Sequence, residues 1–273
     1  MTDDLRDKVA SWLTQSGFPL EMRLAAEWER AEFDVSQSVY YVDPETATAR
    51  ETDIVASKEN VASDAYLRFF CVVECKSGRE APWVLFPRRG LPLNPPSRIL
   101  ALAAPRLTRA YLVRISRRLD ITSLAAFTST HPPAYGMVQA IREKPDHAYT
   151  ALMSVSKASA ALLEEVSRNP PGDDSLEIVW PIVVTEAPLF EAQLSASGQL
   201  KIERVERGTV MWRHPTAGRG ISAIEVVHAE AAAAFIGEVK TAVDLILWNT
   251  DAESSSTIAK RRENAAKLGK PTA

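Results

Sequence analysis

Apolar and polar positions alternate with two periods along this chain, and the period changes several times. Leu5, Val9 and Leu13 share one face at helical spacing within residues 4–16, and Gly17 stops that run. Pro19 suits the first turn of a second helix, in which Leu20, Leu24 and Trp28 repeat at the same spacing up to Arg30. The period then shortens. Val35, Val39 and Tyr41 lead into the turn signal Asp43-Pro44-Glu45-Thr46, and a second strand is expected over about Arg50–Ser57, closing a hairpin. Residues 58–65 are polar and read as a loop. The run YLRFFCVVECKSG, 66–78, is aromatic, β-branched and almost continuously apolar until Gly78. A strand apolar on both faces is expected at the centre of a sheet covered on both sides.

Prolines at 82, 87, 92, 95, 96 and 105 punctuate residues 79–135, which therefore read as a loop-rich stretch. Within it APWVLFP suggests a short strand, and TRAYLVRISRRL suits a strand or a helix equally. Residues 147–168 form a helix that the segment Asn169-Pro170-Pro171-Gly172-Asp173 ends. LEIVWPIVVTEAPLFEAQLS gives a strand, a tight turn near Ala187-Pro188 and a second strand, with a weak third over Lys201–Arg207. An amphipathic helix over 228–248 closes the pattern, and the Ser-, Lys- and Arg-rich remainder from Asp251 reads as a frayed tail. Helices therefore flank the strands on both sides, which predicts an α/β or α+β sandwich with a mixed central sheet. The expected organisation is one domain over 1–250, with its core at about 17–80 and 150–195, an insertion at about 81–146, the closing helix at 228–248, and a flexible tail at 251–273.

With 46% hydrophobic residues among 273, the chain can bury a sizeable core. Its formal charge of -3 excludes a globally basic coat protein, so any polyanion contact must come from a local patch. The acidic, amphipathic start does not resemble a secretory signal. The apolar stretch 231–248 is interrupted by Glu238, Lys240 and Asp244, so no membrane span is expected there. On one strand Cys71 and Cys75 would lie roughly 13 Å apart at about 3.3 Å per residue, too far for a disulfide. They read as buried thiols of a cytoplasmic protein, and the few histidines show no zinc-ligand spacing.

Candidate chemistry gathers around the central strand. Alternation puts Glu74 and Lys76 on one face and Cys75 on the other. An acid and an amine ending a buried strand are costly unless they are paired or hold a metal. Asp53 opens the neighbouring strand (ETDIVA), so a meander would bring its carboxylate towards Glu74. Two converging carboxylates suit Mg²⁺, which takes one or two carboxylates plus water and phosphate oxygens. Lys76 beside them would orient water or stabilise charge on phosphate. Glu21, in the first turn of its helix, is a fourth candidate. Plainer readings stand beside these: Asp53 as a strand-edge acid, Glu74–Lys76 as a surface ion pair, and Glu21 as complement to the helix dipole or part of a solvated face with Glu27 and Glu29.

PLEMRLAAEW, RETDIVA, FFCVVECKSG and the later ASAALLEEV…LEIVWPIVVTEA resemble the PD-(D/E)xK, or restriction-endonuclease-like, nuclease superfamily, whose core order is α-β-β-β-α-β. The resemblance covers about 17–80 and 150–190, and Thr52 stands where the family name has proline. It implies Mg²⁺, with Mn²⁺ as a substitute, held by Asp53, Glu74 and Glu21, with Lys76 completing the catalytic set. It further implies phosphodiester hydrolysis of nucleic acid, DNA above all, in bacterial defence or DNA repair, by a homodimer or a larger complex. A nuclease-fold binding subunit with weak catalysis is the alternative, and a purely structural α/β domain is a third reading.

Segment 81–119 carries eight arginines and no acid. It follows directly on the central strand, so Arg88, Arg89, Arg98, Arg114, Arg117 and Arg118 are expected to face nucleic acid. An arginine-rich surface paired with acids from elsewhere is the plainer reading. Gln37 and Ser38 lie within reach of the candidate site, and Lys157 and Ser159 suit either phosphate or a solvated helix end.

Overall fold

The apolar run from Tyr66 becomes the spine of the molecule, strand β3 (Ala65–Lys76). The computed structural model describes residues 2–43, 45–62, 65–88, 94–128, 131–141, 146–168, 175–213, 222–248 and 251–267. Helices α1 (Thr2–Gln15) and α2 (Phe18–Arg30) precede the meander β1 (Asp34–Val42), β2 (Ala49–Ala62) and β3. After β4 (Trp83–Pro87) come α3 (Pro95–Leu100), α4 (Arg106–Ile115), α5 (Leu119–Thr122) and β5 (Ala134–Gln139). Helix α6 (His147–Arg168) then crosses to β6 (Ser175–Thr185). Strands β7 (Leu189–Leu194), β8 (Leu200–Val205), β9 (Arg207–Trp212) and β10 (Ser222–His228) follow, and α7 (Ala232–Trp248) and α8 (Asp251–Lys267) end the fold.

The described strands form one ten-stranded mixed sheet in the order β1-β2-β3-β6-β10-β9-β5-β4-β7-β8. β1, β2 and β3 are antiparallel neighbours, and β6 lies parallel to β3, with Tyr66 opposite Ser175 and Lys76 opposite Thr185. A parallel neighbour requires a crossover, and α6 supplies it. Strand alternation divides β3 between two cores. Phe69, Cys71 and Val73 pack with Trp28 of α2 and Phe235 and Val239 of α7, while Phe70 and Val72 pack with Leu152 and Val155 of α6. Covered on both faces, β3 and β6 are apolar almost throughout, as the sequence pattern requires. Pro181 is tolerated inside β6 because its nitrogen follows the edge used by Val179, whose N–H donates to Ala103 O at 2.8 Å, just before β10 begins to pair there at Ile182.

Four expectations need correction. The described residues of 81–146 are not loop-rich: β4 and β5 join the sheet, and α3–α5 pack beside it. Pro95 and Pro96 occupy the first positions of α3, where a missing N–H costs nothing, and Asn94 caps Ser97 N at 3.0 Å. The ambiguous TRAYLVRISRRL is helical. The polar run from 58 belongs to β2, because Lys58 bonds Asp244 and Asn60 bonds Leu247 O on α7. Strands β9 and β10 occupy 207–212 and 222–228, beyond the single weak strand expected there. Residues 251–267 form a helix rather than a frayed tail, with Ser254, Thr257 and Ile258 buried and Thr257 Oγ1 donating to Glu253 O. The expected helix end at Asn169–Asp173 lies outside the described residues. Both cysteines are free and buried. Among the described residues no helix is long and apolar enough to cross a membrane.

Candidate functional site

At the C-terminal end of β3 the even-numbered side chains, on the α6 face, change from Phe70 and Val72 to Glu74 and Lys76. Lys76 Nζ donates to Glu74 Oε1 at 2.6 Å, and Glu74 is only 5% exposed. The register that sets Ile54 opposite Val73 carries Asp53 opposite Glu74. Asp53 Oδ2 accepts the Cys75 N–H at 2.6 Å, tying β2 to the last turn of β3. On the other side, the pairs Gln37–Ile54 and Val39–Thr52 bracket Ser38 opposite Asp53. Ser38 has φ +53°, a left-handed conformation that costs a non-glycine residue roughly 1–2 kcal/mol. Local backbone distortion therefore sits beside Asp53.

Glu21 reaches the same end of the sheet from the first turn of α2. A Cβ on Gly17 would stand 3.1 Å from Glu21 Oε1 and 3.7 Å from Ser77 Oγ, so the glycine leaves the carboxylate its place. Glu186, just after β6, fastens this helix and the loop after β3. It accepts two bonds from Arg79, at 3.0 and 2.8 Å, and one from Arg23 at 3.0 Å, while its own N–H donates to Lys76 O at 2.9 Å.

The four expected residues share one electrostatic environment. Burial, then Asp53 and Glu51, raise the Glu21 pKa. Burial raises that of Asp53, against the Cys75 amide and Lys76. Burial drives Glu74 up to about 7, opposed by Lys76 and assisted by Asp53 and Glu21. Burial disfavours the Lys76 ammonium, but Glu74 and its hydrogen bond, then Asp53, outweigh this and hold the pKa above its ordinary value. Three acids therefore crowd one amine. Tyr41 on β1 was not expected here; burial and the Glu74 charge raise its phenol pKa. A cleft of about 630 Å³ opens beside this cluster, lined by Lys76, Ser77, Arg79, Trp83, Gln139 and His147 among others. Lys76 reaches the cleft wall, whereas Glu21, Asp53 and Glu74 do not line it. Among the described residues no three Asp, Glu, His or Cys side chains form a ready-made metal cage.

The arginine segment does not gather beside Lys76. Arg98 is buried, 4% exposed, and donates to Glu225 Oε1 at 2.9 Å, so it is a core ion pair rather than a nucleic-acid contact. Arg118 is held by Asp120 and Glu253, and Arg114 donates to Glu253 O at 3.4 Å. α4 meets the sheet where β6 begins: Thr108 Oγ1 accepts the Glu177 N–H at 3.1 Å, at the end remote from Lys76. Arg117 and Arg88 are exposed, and Arg89 lies outside the described residues. Lys157 binds Asp43 at 2.9 Å and Glu45 at 2.6 Å, fixing α6 to the β1–β2 turn instead of offering a phosphate contact. Ser159 is buried, and Gln37 is exposed.

The fold and site thus define an α+β chain with a mixed sheet and an acid–lysine cluster at the end of its central strand. Set against known proteins, the chain matches no family model, no curated protein and no solved structure.

Proposed function

We propose that this chain is a metal-dependent phosphodiesterase acting on nucleic acid, DNA above all, with a restriction-endonuclease-like core. The observation that carries the reading is the convergence of Asp53, Glu74, Lys76 and Glu21 at the end of β3. The local order β1-β2-β3-β6, with β6 parallel to β3 and α6 as the crossover, supports it.

The donors suit a hard divalent cation in their chemistry rather than as a finished cage: Asp53 and Glu74 would offer carboxylate oxygens, Glu21 would approach from α2, and Mg²⁺ would keep most of its positions for water and phosphate. Burial raises all three acids, and the Asp53 charge adds to the shifts of Glu21 and Glu74, a cost that a bound cation would relieve. When bound, the ion would polarise a phosphoryl oxygen and favour hydroxide over water. The chain's own parts do the rest. Lys76, charged and reaching the cleft, is placed to stabilise negative charge on phosphate or to orient the attacking water. The Cys75 amide fixes the Asp53 carboxylate, and Glu186 fixes the Lys76 backbone. Arg79 lines the same cleft wall, where its guanidinium is paired bidentately with Glu186. Bacterial defence or DNA repair, as a homodimer or within a larger complex, is the setting this activity suits.

A panel of labelled DNA and RNA substrates incubated with the purified chain in Mg²⁺ or Mn²⁺ tests the reading. Cleavage that EDTA abolishes is expected, and binding in Ca²⁺ without cleavage in either active metal would replace it with the binding-subunit reading. One observation favours that second reading: Glu74 and Asp53 each already have a hydrogen-bond donor from within the protein.

A further inference from the structure

A second groove of about 630 Å³ lies between α4 and α8 at the start of β6. Arg106 and Arg114 line it from α4, Lys260 and Arg261 from α8, and Glu177 and Ser175 from β6. The acid in it, Glu177, is already paired with Arg68 at 3.1 Å. No carboxylate of the described residues forms an ion pair with Arg106, Arg109, Arg117 or Lys260. In a chain of net charge -3, residues 106–118 hold five arginines and no acid, and α8 adds four cations against three acids. Such an imbalance on two adjacent helices costs self-repulsion and is relieved by a polyanion.

We propose that this groove is a second nucleic-acid contact, gripping the phosphate backbone far from Lys76. The inference rests on the nucleic-acid reading above and adds a place and a length to it. Arg68 lies opposite Glu177 and Lys76 opposite Thr185, so eight strand residues separate the groove from the candidate site. At about 3.3 Å per residue the offset along the strands is roughly 26 Å, so a duplex touching both places spans at least about eight base pairs at 3.4 Å each. Arginines on one wall and a lysine and an arginine on the other suit a phosphate ridge lying between the helices. A substrate must then exceed this length to touch both places, which makes the groove an anchor that favours long duplexes over short ends.

The test is duplex binding in Ca²⁺ across a salt series, with 24- and 6-base-pair DNA, for the wild type and for Arg106→Ala/Lys260→Ala/Arg261→Ala. All three side chains are exposed, so the fold should survive. The triple variant should bind the long duplex roughly tenfold to a hundredfold more weakly, with a salt slope shallower by about 2–3, while binding of the 6-base-pair duplex, which can still sit at the candidate site, should fall by less than about tenfold. Should the triple variant fail to fold, Lys260→Glu alone should lower the slope by about 1. Wild-type binding that the substitutions leave intact overturns this inference and spares the functional reading. Absence of any wild-type binding overturns both. Loss of binding to anionic phosphatidylserine vesicles with intact DNA binding would assign the groove to a lipid surface and overturn the inference.

Discussion

The Cys75 amide donates to the Asp53 carboxylate at 2.6 Å, so the acid that opens ETDIVA is locked to the strand carrying Glu74 and Lys76. The lock follows from strand register, because Asp53 directly precedes Ile54, which stands opposite Val73, and turns one oxygen towards the Cys75 amide of β3. It fixes the Asp53 carboxylate within the cluster. Asp53→Ala removes the acceptor and frees the Cys75 N–H; a stability loss of about 1–3 kcal/mol is expected in urea titration, with the fold retained.

Glu74 gives the protein a specific pH response. Its folded pKa, about 7, lies above the ordinary 4.5, so the folded state binds this proton more tightly than the unfolded chain does. The stability linked to it is complete below about pH 4.5 and is lost as pH rises through 7, by up to roughly 3 kcal/mol at 1.36 kcal/mol per unit. Urea midpoints measured from pH 4.5 to 8 should fall more steeply in the wild type than in Glu74→Gln. Saturating Mg²⁺ at pH 8 should restore stability to the wild type alone. Parallel curves for both proteins would contradict the assignment.

Asp43 acts at the acid end. Its hydrogen bond from Lys157, then the Glu45 amide, hold its pKa down to about 2 from 3.8. A depressed acid contributes stability above its unfolded pKa and loses it as pH falls through the folded one. Melting temperatures of the wild type should therefore drop between about pH 4 and 2 in part through this group. Asp43→Asn should be less stable at pH 7 and should lack that part of the drop.

Arg98 separates structure from substrate binding. Glu225, only 1% exposed, also accepts from Arg207 at 3.1 Å and from Thr209. Arg98→Ala leaves a buried carboxylate short of one charge and should cost about 3–5 kcal/mol of unfolding free energy. Affinity of the folded fraction for DNA should not change, as fluorescence anisotropy at low temperature would show.

The central strand and the placement of Glu74, Lys76 and Asp53 at its end were legible in sequence because both rest on local pattern. An apolar run that ends in Glu-Cys-Lys already puts Glu74 and Lys76 on one face, and a meander already brings Asp53 alongside. What escaped was built from distant pieces. Glu186 meets Arg79 across 107 residues, and Tyr41 approaches Glu74 only through the pairing of β1 with β2. The arginines misled because proximity in sequence to β3 does not survive the turn into α3 and α4: Arg98 is drawn into the core by Glu225, and α4 travels to the far end of β6. α8 was hidden by composition. Its buried stripe uses Ser254 and Thr257, polar residues that a hydrophobic pattern does not register, and Thr257 satisfies its hydroxyl on Glu253 O.

Side-by-side cleavage of a long DNA duplex in Mg²⁺ by the wild type and Lys76→Ala tests the proposed chemistry most directly. Lys76 reaches the cleft and carries the charge nearest the proposed phosphate, so its removal should cost at least a hundredfold in rate, with a native circular dichroism spectrum retained. Equal cleavage by the two proteins, or cleavage that survives EDTA, would contradict it.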